Sequence, residues 1–161
     1  MAEQKTNVMR LLEQAGVAYT PHTYEWDGKT APDGATVAKG MGVDPGMVFK
    51  TLVAKGASGG YYVFDVPVEA SLDLKKAAKA AGEKSIEMLH LKELFPLTGY
   101  VHGGCSPLGM KKKFPTVFDE TCILYDTIYV SAGKIGFQVE AAPGDLIKAS
   151  EAITADIITE D

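Results

Sequence analysis

Apolar positions along this chain recur with helical and strand-like periods in alternation, and glycine, proline or a polar capping residue marks most of the boundaries. Near the N-terminus, Val8, Leu11, Leu12 and Ala15 share one face of a helix that Thr6 or Asn7 can cap and Gly16 can end. Val17 to Trp26 reads as a strand interrupted by Pro21, whose missing N–H suits a sheet edge. Asp27 to Gly34, DGKTAPDG, reads as a loop, and a short helix follows near Thr36 to Met41. Met47 to Ala54 and Tyr61 to Pro67 predict two strands, joined into a hairpin by the glycine-rich KGASGG.

The clearest helix is LKKAAKAAG, opened by Ser71 or Asp73 and ended by Gly82. Leu74, Ala77, Ala78 and Ala81 form its apolar stripe, leaving Lys75, Lys76 and Lys79 outside. Ile86 to Leu89 predicts a strand, and LKELF a short helix stopped before Pro96. Thr116 to Phe118, Ile128 to Ser131 and Ile135 to Glu140 predict further strands, and PGDLIKAS a late helix. Strands dominate the second half with helices between them. The expected fold is therefore α+β, a single domain over residues 1–161 with a curved mixed sheet or partial β-barrel flanked by helices.

Composition narrows the setting. A chain of 161 residues with 46% hydrophobic content fits one compact domain that buries about 70% of its unfolded surface. No apolar run approaches the roughly 18 residues of a membrane span, and charges are scattered through the N-terminal stretch, so a soluble, unexported protein with no membrane partner is expected. The two cysteines, Cys105 and Cys122, form no CxxC pair, which points to a reducing cytoplasm rather than a disulfide framework or zinc knuckle. A net charge of -5 argues against a general nucleic-acid binder, because such proteins carry a basic surface that releases counterions from phosphate. A nucleic acid would have to meet a local patch, either Lys111, Lys112 and Lys113 or Lys75, Lys76 and Lys79, each of which otherwise reads as a solvated face.

The densest candidate chemistry lies in GYVHGGCSPLGMKKKFP, Gly99 to Pro115. Its GCSPLGMK core imitates a nucleotide phosphate-binding loop, but Met110 occupies the lysine slot and Lys111 the hydroxyl slot. Cys105 with His102 as base offers a thiol nucleophile, although a free cysteine equally serves as a small apolar filler. His22, His90 and His102 show no metal-ligand spacing, and no cofactor is signalled. What the loop does offer is main chain. Gly103 and Gly104 leave N–H groups unshielded, Pro107 holds Ser106 extended and Gly109 permits a second sharp turn. Such a loop can present donors to an oxyanion or can simply be a tight structural turn.

GYVHGGCSPLGMKKKFPTV, together with MVFKTLVA around Lys50, LDLKKAAKAAG, IEML and IYVSAGKIGFQVEAAPGDL, resembles the YbaK group of the prolyl-tRNA synthetase editing-domain superfamily, the Cys-tRNA(Pro) deacylases. The resemblance runs from about Asn7 to Ile157. It implies a trans-editing enzyme that removes cysteine from mischarged tRNA(Pro), with prolyl-tRNA synthetase as a possible partner. By position it makes Lys50 the functional lysine, and Gly103, Gly104, Ser106, Pro107 and Gly109 its GGxSPxG loop. Tyr24 matches a pocket tyrosine, and Ser131 and Gly133 a YVSGGK-like turn, in which Ala132 replaces a usual glycine. Asp33 stands where family members often carry an aromatic residue. The resemblance further implies a substrate-assisted reaction, in which the cysteinyl thiol attacks its own ester while Gly103 and Gly104 donate to the oxyanion, Lys50 anchors or stabilises charge, and Tyr24 and Ser131 shape the pocket. Other readings stay open at this level: a deacylase for alanine or serine esters, a thiol hydrolase using Cys105, and a noncatalytic tRNA- or synthetase-binding module.

Overall fold

The computed structural model describes residues 5–160. Helix α1, Asn7–Gln14, starts where the Thr6 hydroxyl accepts the Met9 N–H at 3.3 Å. It buries Val8, Met9 and Leu12; Met9 was not expected on the inward face, and Ala15, which was, is the exposed C-cap. Strand β1 is confined to Thr20–Thr23 and lies at a sheet edge, as Pro21 requires. Helix α2, Gly34–Met41, is capped by Asp33, whose carboxylate accepts the Thr36 N–H at 2.7 Å. Met47 falls in a tight turn, Pro45–Met47, so β2 spans Phe49–Gly56. β2 pairs antiparallel with β3, Tyr61–Pro67, in a register that sets Lys50 opposite Val66 and Thr51 opposite Asp65.

Asp73 caps α3, Leu74–Ala81, by accepting the Lys75 and Lys76 N–H groups, and Gly82 closes it in the left-handed conformation. Ala77 and Ala78 are buried, but Leu74 at the helix start is 41% exposed. β4, Ile86–Met88, joins the far end of β2. Helix α4, Leu91–Thr98, corrects the expectation that it stops before Pro96. Pro96 is exposed, so water can reach the carbonyl its missing N–H leaves free, while Leu94 and Leu97 pack on Val53, Val63 and Cys105 and carry the helix one turn further. The turn is also held by the Thr98 hydroxyl, which donates to the Leu94 carbonyl at 2.7 Å.

The second half adds β5, Thr116–Asp119, β6, Ile128–Ser131, β7, Phe137–Ala141, and helix α5, Pro143–Ser150. β7 begins two residues later than the apolar pattern suggested, because Gly133 and Gly136, both at positive φ, keep the preceding segment in a turn. A short edge strand, β8, Ile153–Ala155, was not expected at all. The strands form two open sheets, β4-β2-β3-β5-β8 and β1-β7-β6, linked where Val48 bridges Tyr129. The mixed five-stranded sheet has β3, β5 and β8 parallel and its other pairs antiparallel.

One face of the five-stranded sheet is covered by α3, with Ala54, Phe64, Val66, Ala77 and Ile157 in the contact. Its other face meets the small sheet, α1 and α5 around Phe49, Phe118, Val130, Val139 and Leu146, with the Phe49 and Phe118 rings 6.4 Å apart. This second face leads directly to the site.

Candidate functional site

Strand β2 has an open stretch along one edge. Val48 bridges β6 and β4 begins only at the far end, with Leu89 N–H donating to the Val53 carbonyl at 3.2 Å. Main-chain polar groups on a strand point to opposite edges at alternate residues. Those of Thr51 therefore face the same side as those of Val53, into the gap between β6 and β4. A cleft of about 310 Å³ opens there. The large sheet supplies Phe49 to Leu52, α2 and its approach supply Pro32, Gly34 and Val37, α4 supplies Leu94, and the small sheet supplies Ser131 and Gln138. The glycine loop completes the wall with His102, Gly103 and Cys105.

Of the residues singled out from sequence, Tyr24, Lys50, Gly103 and Ser131 come together in this cleft. Gly103 sits at φ +89°, and a Cβ there would lie 2.6 Å from that of Ala31, so conformation and space both demand glycine. Its exposed N–H has no hydrogen-bond partner among the described residues, whereas Gly104 N–H is committed to the Val101 carbonyl at 3.0 Å. Gly104, Ser106, Pro107, Gly109 and Gly133 lie outside the cleft lining. Ser106 is buried and accepts the Leu108 N–H, and Pro107 and Gly109 border a separate hollow beside α1. Gly133 donates to the Ser131 hydroxyl at 3.1 Å and so steadies a cleft residue from behind. Asp33, the departure from the aromatic pattern, is the cap of α2 and lies on the cleft rim.

Lys50 is half-buried, and among the described residues its ammonium forms no ion pair or hydrogen bond. Burial lowers its pKa, because the charged form is the one that loses hydration. Burial raises the Tyr24 phenol, partly offset by its hydrogen bond with the Gly136 backbone. The Cys105 thiol, 7% exposed, is pushed up to about 12, first by burial and then by Asp65. His102 is exposed at the cleft mouth and makes no hydrogen bond to Cys105. A thiol so far from ionising, with no base in contact, is a poor nucleophile at neutral pH.

Sequence reasoning missed Thr51, Asp65 and Gln138. Gln138 is 6% exposed, lines the cleft and leaves Oε1 without a partner, which makes it an acceptor available to a bound molecule. The signal was present: Gln138 pairs with Ser131 across the β6–β7 turn, and FQVEA alternates, so both polar residues had to share a face. Asp65 was legible as a carboxylate inside the apolar run YYVFDVP.

The lysine patches differ in how free they are. Lys76 pairs with Asp156 at 3.0 Å and Glu160 at 3.8 Å, and Lys113 pairs with Glu151. Lys111 lies over the Phe95 ring, 5.3 Å from its centre, next to Leu94 of the cleft wall.

A cleft with a free ammonium, an open main-chain donor and no competent nucleophile, set between two open sheets, suits a hydrolytic editing domain. The family model for the aminoacyl-tRNA editing domain matches residues 29–149, and the chain belongs to that family. Its relatives narrow the kind of editing. Over 159 residues, covering 99% of this chain and 96% of the relative, it is 45% identical to a protein of Enterococcus faecalis named as a Cys-tRNA(Pro)/Cys-tRNA(Cys) deacylase, EbsC. A solved structure described as a trans-editing enzyme for prolyl-tRNA synthetase superposes with a TM-score of 0.80 at 25% identity, covering 97% of this chain and 99% of that one. A second, described only as a hypothetical protein, shares the fold with a TM-score of 0.83 at 23% identity, covering 94% and 99%. Among the described residues no helix is long and apolar enough to cross a membrane.

Proposed function

We propose that the chain is a trans-editing deacylase that removes cysteine from mischarged tRNA(Pro), and that the substrate's own thiol cleaves the ester. The observation that carries the mechanism is the state of Cys105. The cleft's one thiol is buried, pushed up to about 12 and without a base in contact, which favours a nucleophile that arrives with the substrate.

A cysteinyl ester brings one. A solvated cysteine thiol ionises near pH 8.5, which leaves roughly a few per cent as thiolate at neutrality. Folded back on its carbonyl, it attacks at an effective concentration of order 10⁵ M or more. The sulfur–carbon bond forms, the bond from the carbonyl carbon to the ribose oxygen breaks, and the released ribose oxygen takes up a proton. The product, a β-thiolactone, is then opened by water. The protein contributes orientation and charge. Gly103 N–H donates to the oxyanion, the Lys50 ammonium stabilises negative charge on the oxyanion or the departing ribose oxygen, and Tyr24 and Ser131 shape the pocket. Gly104, Ser106, Pro107, Gly109 and Gly133 hold the loop and the turn that present these groups. In this reading the protein works in the cytoplasm on tRNA that prolyl-tRNA synthetase has mischarged, free or still held by the synthetase. Alanine and serine esters lack the thiol and are poor substrates for this route.

Deacylation of Cys-tRNA(Pro) and of its S-methylcysteinyl analogue, by wild type and by Cys105→Ala, tests it. The expected pattern is near wild-type cleavage of Cys-tRNA(Pro) by Cys105→Ala and almost none of the methylated substrate by either protein. A folded but inactive Cys105→Ala variant, or an acyl adduct trapped on Cys105, would transfer the reaction to the enzyme's sulfur.

A further inference from the structure

Asp65 lies in the middle of β3 and is 0% exposed. The Thr51 hydroxyl, directly across the β2–β3 pair, donates to its Oδ1 at 2.5 Å, and Oδ2 has no hydrogen-bond partner. Among the described residues no cation pairs with it, and the titratable groups that face it are the Cys105 and Cys122 thiols, themselves pushed up to about 12 and 11. Burial raises the Asp65 carboxyl to about 8, so at neutral pH it is mostly the neutral acid. A valine would suit this apolar run at lower cost, because a buried polar atom left unsatisfied destabilises the fold.

The benefit that offsets this cost points at Thr51, which lines the cleft. A hydroxyl has one hydrogen and two lone pairs. With the Asp65 proton on Oδ2, Oδ1 accepts the Thr51 hydrogen, and the Thr51 oxygen turns only acceptor sites toward the cleft. We infer that Asp65 is a positioning residue: it fixes the Thr51 hydroxyl so that its oxygen accepts an N–H of the α-ammonium of the esterified amino acid. The inference rests on the deacylase reading and adds to it a contact that selects aminoacyl over simple acyl esters.

Four variants and two substrates test it. Asp65→Val should melt higher than wild type yet lose about tenfold or more in kcat/KM on Cys-tRNA(Pro), the scale of a lost hydrogen bond to a charged group. Thr51→Val should lose as much, and the double variant no more than either alone, since both remove one interaction. On 3-mercaptopropionyl-tRNA(Pro), which keeps the thiol and lacks the amine, wild type and Asp65→Val should be equal. Asp65→Asn retains the acceptor and should keep wild-type kcat/KM. Its stability advantage over wild type should grow between about pH 4 and pH 8, because the raised pKa makes the aspartate's contribution full below its unfolded value and lost as pH rises through the folded one.

Wild-type kcat/KM in a folded Asp65→Val protein, or an equal loss on the amine-free substrate, overturns the inference. If Asp65→Val fails to fold, Thr51→Val and Asp65→Asn decide alone, and an Asp65→Asn protein as poor as Thr51→Val overturns it. Inactivity of the wild type on Cys-tRNA(Pro) would instead sink the deacylase reading beneath it.

Discussion

Replacing Lys50 by methionine keeps an unbranched side chain one atom shorter and removes the ammonium. Because that ammonium has no partner among the described residues and is half-buried, the fold gives up no ion pair and is relieved of a partly dehydrated charge. The melting temperature should stay the same or rise. Catalysis should behave in the opposite way. An ammonium about 4 Å from a developing negative charge gains about 4 kcal/mol at an effective dielectric constant near 20. Half-exposure screens part of this, leaving about 2–3 kcal/mol, or roughly a hundredfold in rate. Single-turnover release of labelled cysteine from Cys-tRNA(Pro) should therefore slow about a hundredfold with little change in the half-saturating concentration, since the charge being stabilised appears only in the transition state. Lys50→Arg should recover part of the loss. Burial also lowers the pKa of Lys50, so the Lys50-dependent part of the rate should decline on the alkaline side before an ordinary lysine would deprotonate, and Lys50→Met should lack that decline. A folded Lys50→Met protein within threefold of wild type would refute this account of the site, and a lost melting transition would show a structural lysine instead.

Binding of tRNA by a chain of net charge -5 should be weak and should fall steeply between low and physiological salt; an affinity indifferent to salt would contradict a phosphate-contacting patch. Lys111→Glu should weaken that binding and Lys76→Glu should leave it nearly unchanged, because Lys76 is already neutralised by Asp156 and Glu160 while Lys111 lies beside the cleft wall. Equal effects of the two in a filter-binding titration would spread the tRNA contact over both patches. Asp33→Ala should lower the melting temperature by removing the cap of α2, and should raise KM more than it lowers kcat because α2 forms a cleft wall rather than a catalytic group. An unchanged melting temperature would show that the cap contributes nothing to the fold.

Local chemistry decided most of the elements, and these were legible without coordinates. Thr6, Asp73 and Gly82 cap helices through contacts with residues two to four positions away, so the information lies within about one turn of chain. The β2–β3 hairpin is set by glycines next to one another in sequence, and Pro21 keeps β1 at an edge for want of a single N–H. The glycine loop also announced itself, since no other residue tolerates the backbone of Gly103 in that space.

Where local preference competed with packing, the sequence misled. Pro96 is a helix breaker by propensity, yet the buried Thr98 and the partly buried Leu97 in the last turn of α4 outweigh one missing hydrogen bond at an exposed position. Asp33 looked like a lost aromatic and is a cap on the cleft rim, because its carboxylate accepts the N–H of Thr36. The division of the loop into a cleft-facing Gly103 and a structural Ser106, Pro107 and Gly109 depends on α1 and α2, which are far away along the chain. The same holds for Asp65, whose carboxyl inside an apolar strand was visible but whose neutrality comes from complete burial in the folded sheet, against the opposing hydrogen bond from Thr51 on β2. The helices, the hairpin and the tight turns were thus dictated by residue order, because their energies are set within a few positions of chain. Which side chains share the gap between β6 and β4 followed only from the folded arrangement, because burial, hydrogen-bond satisfaction and pKa are properties of surroundings assembled from both halves of the chain.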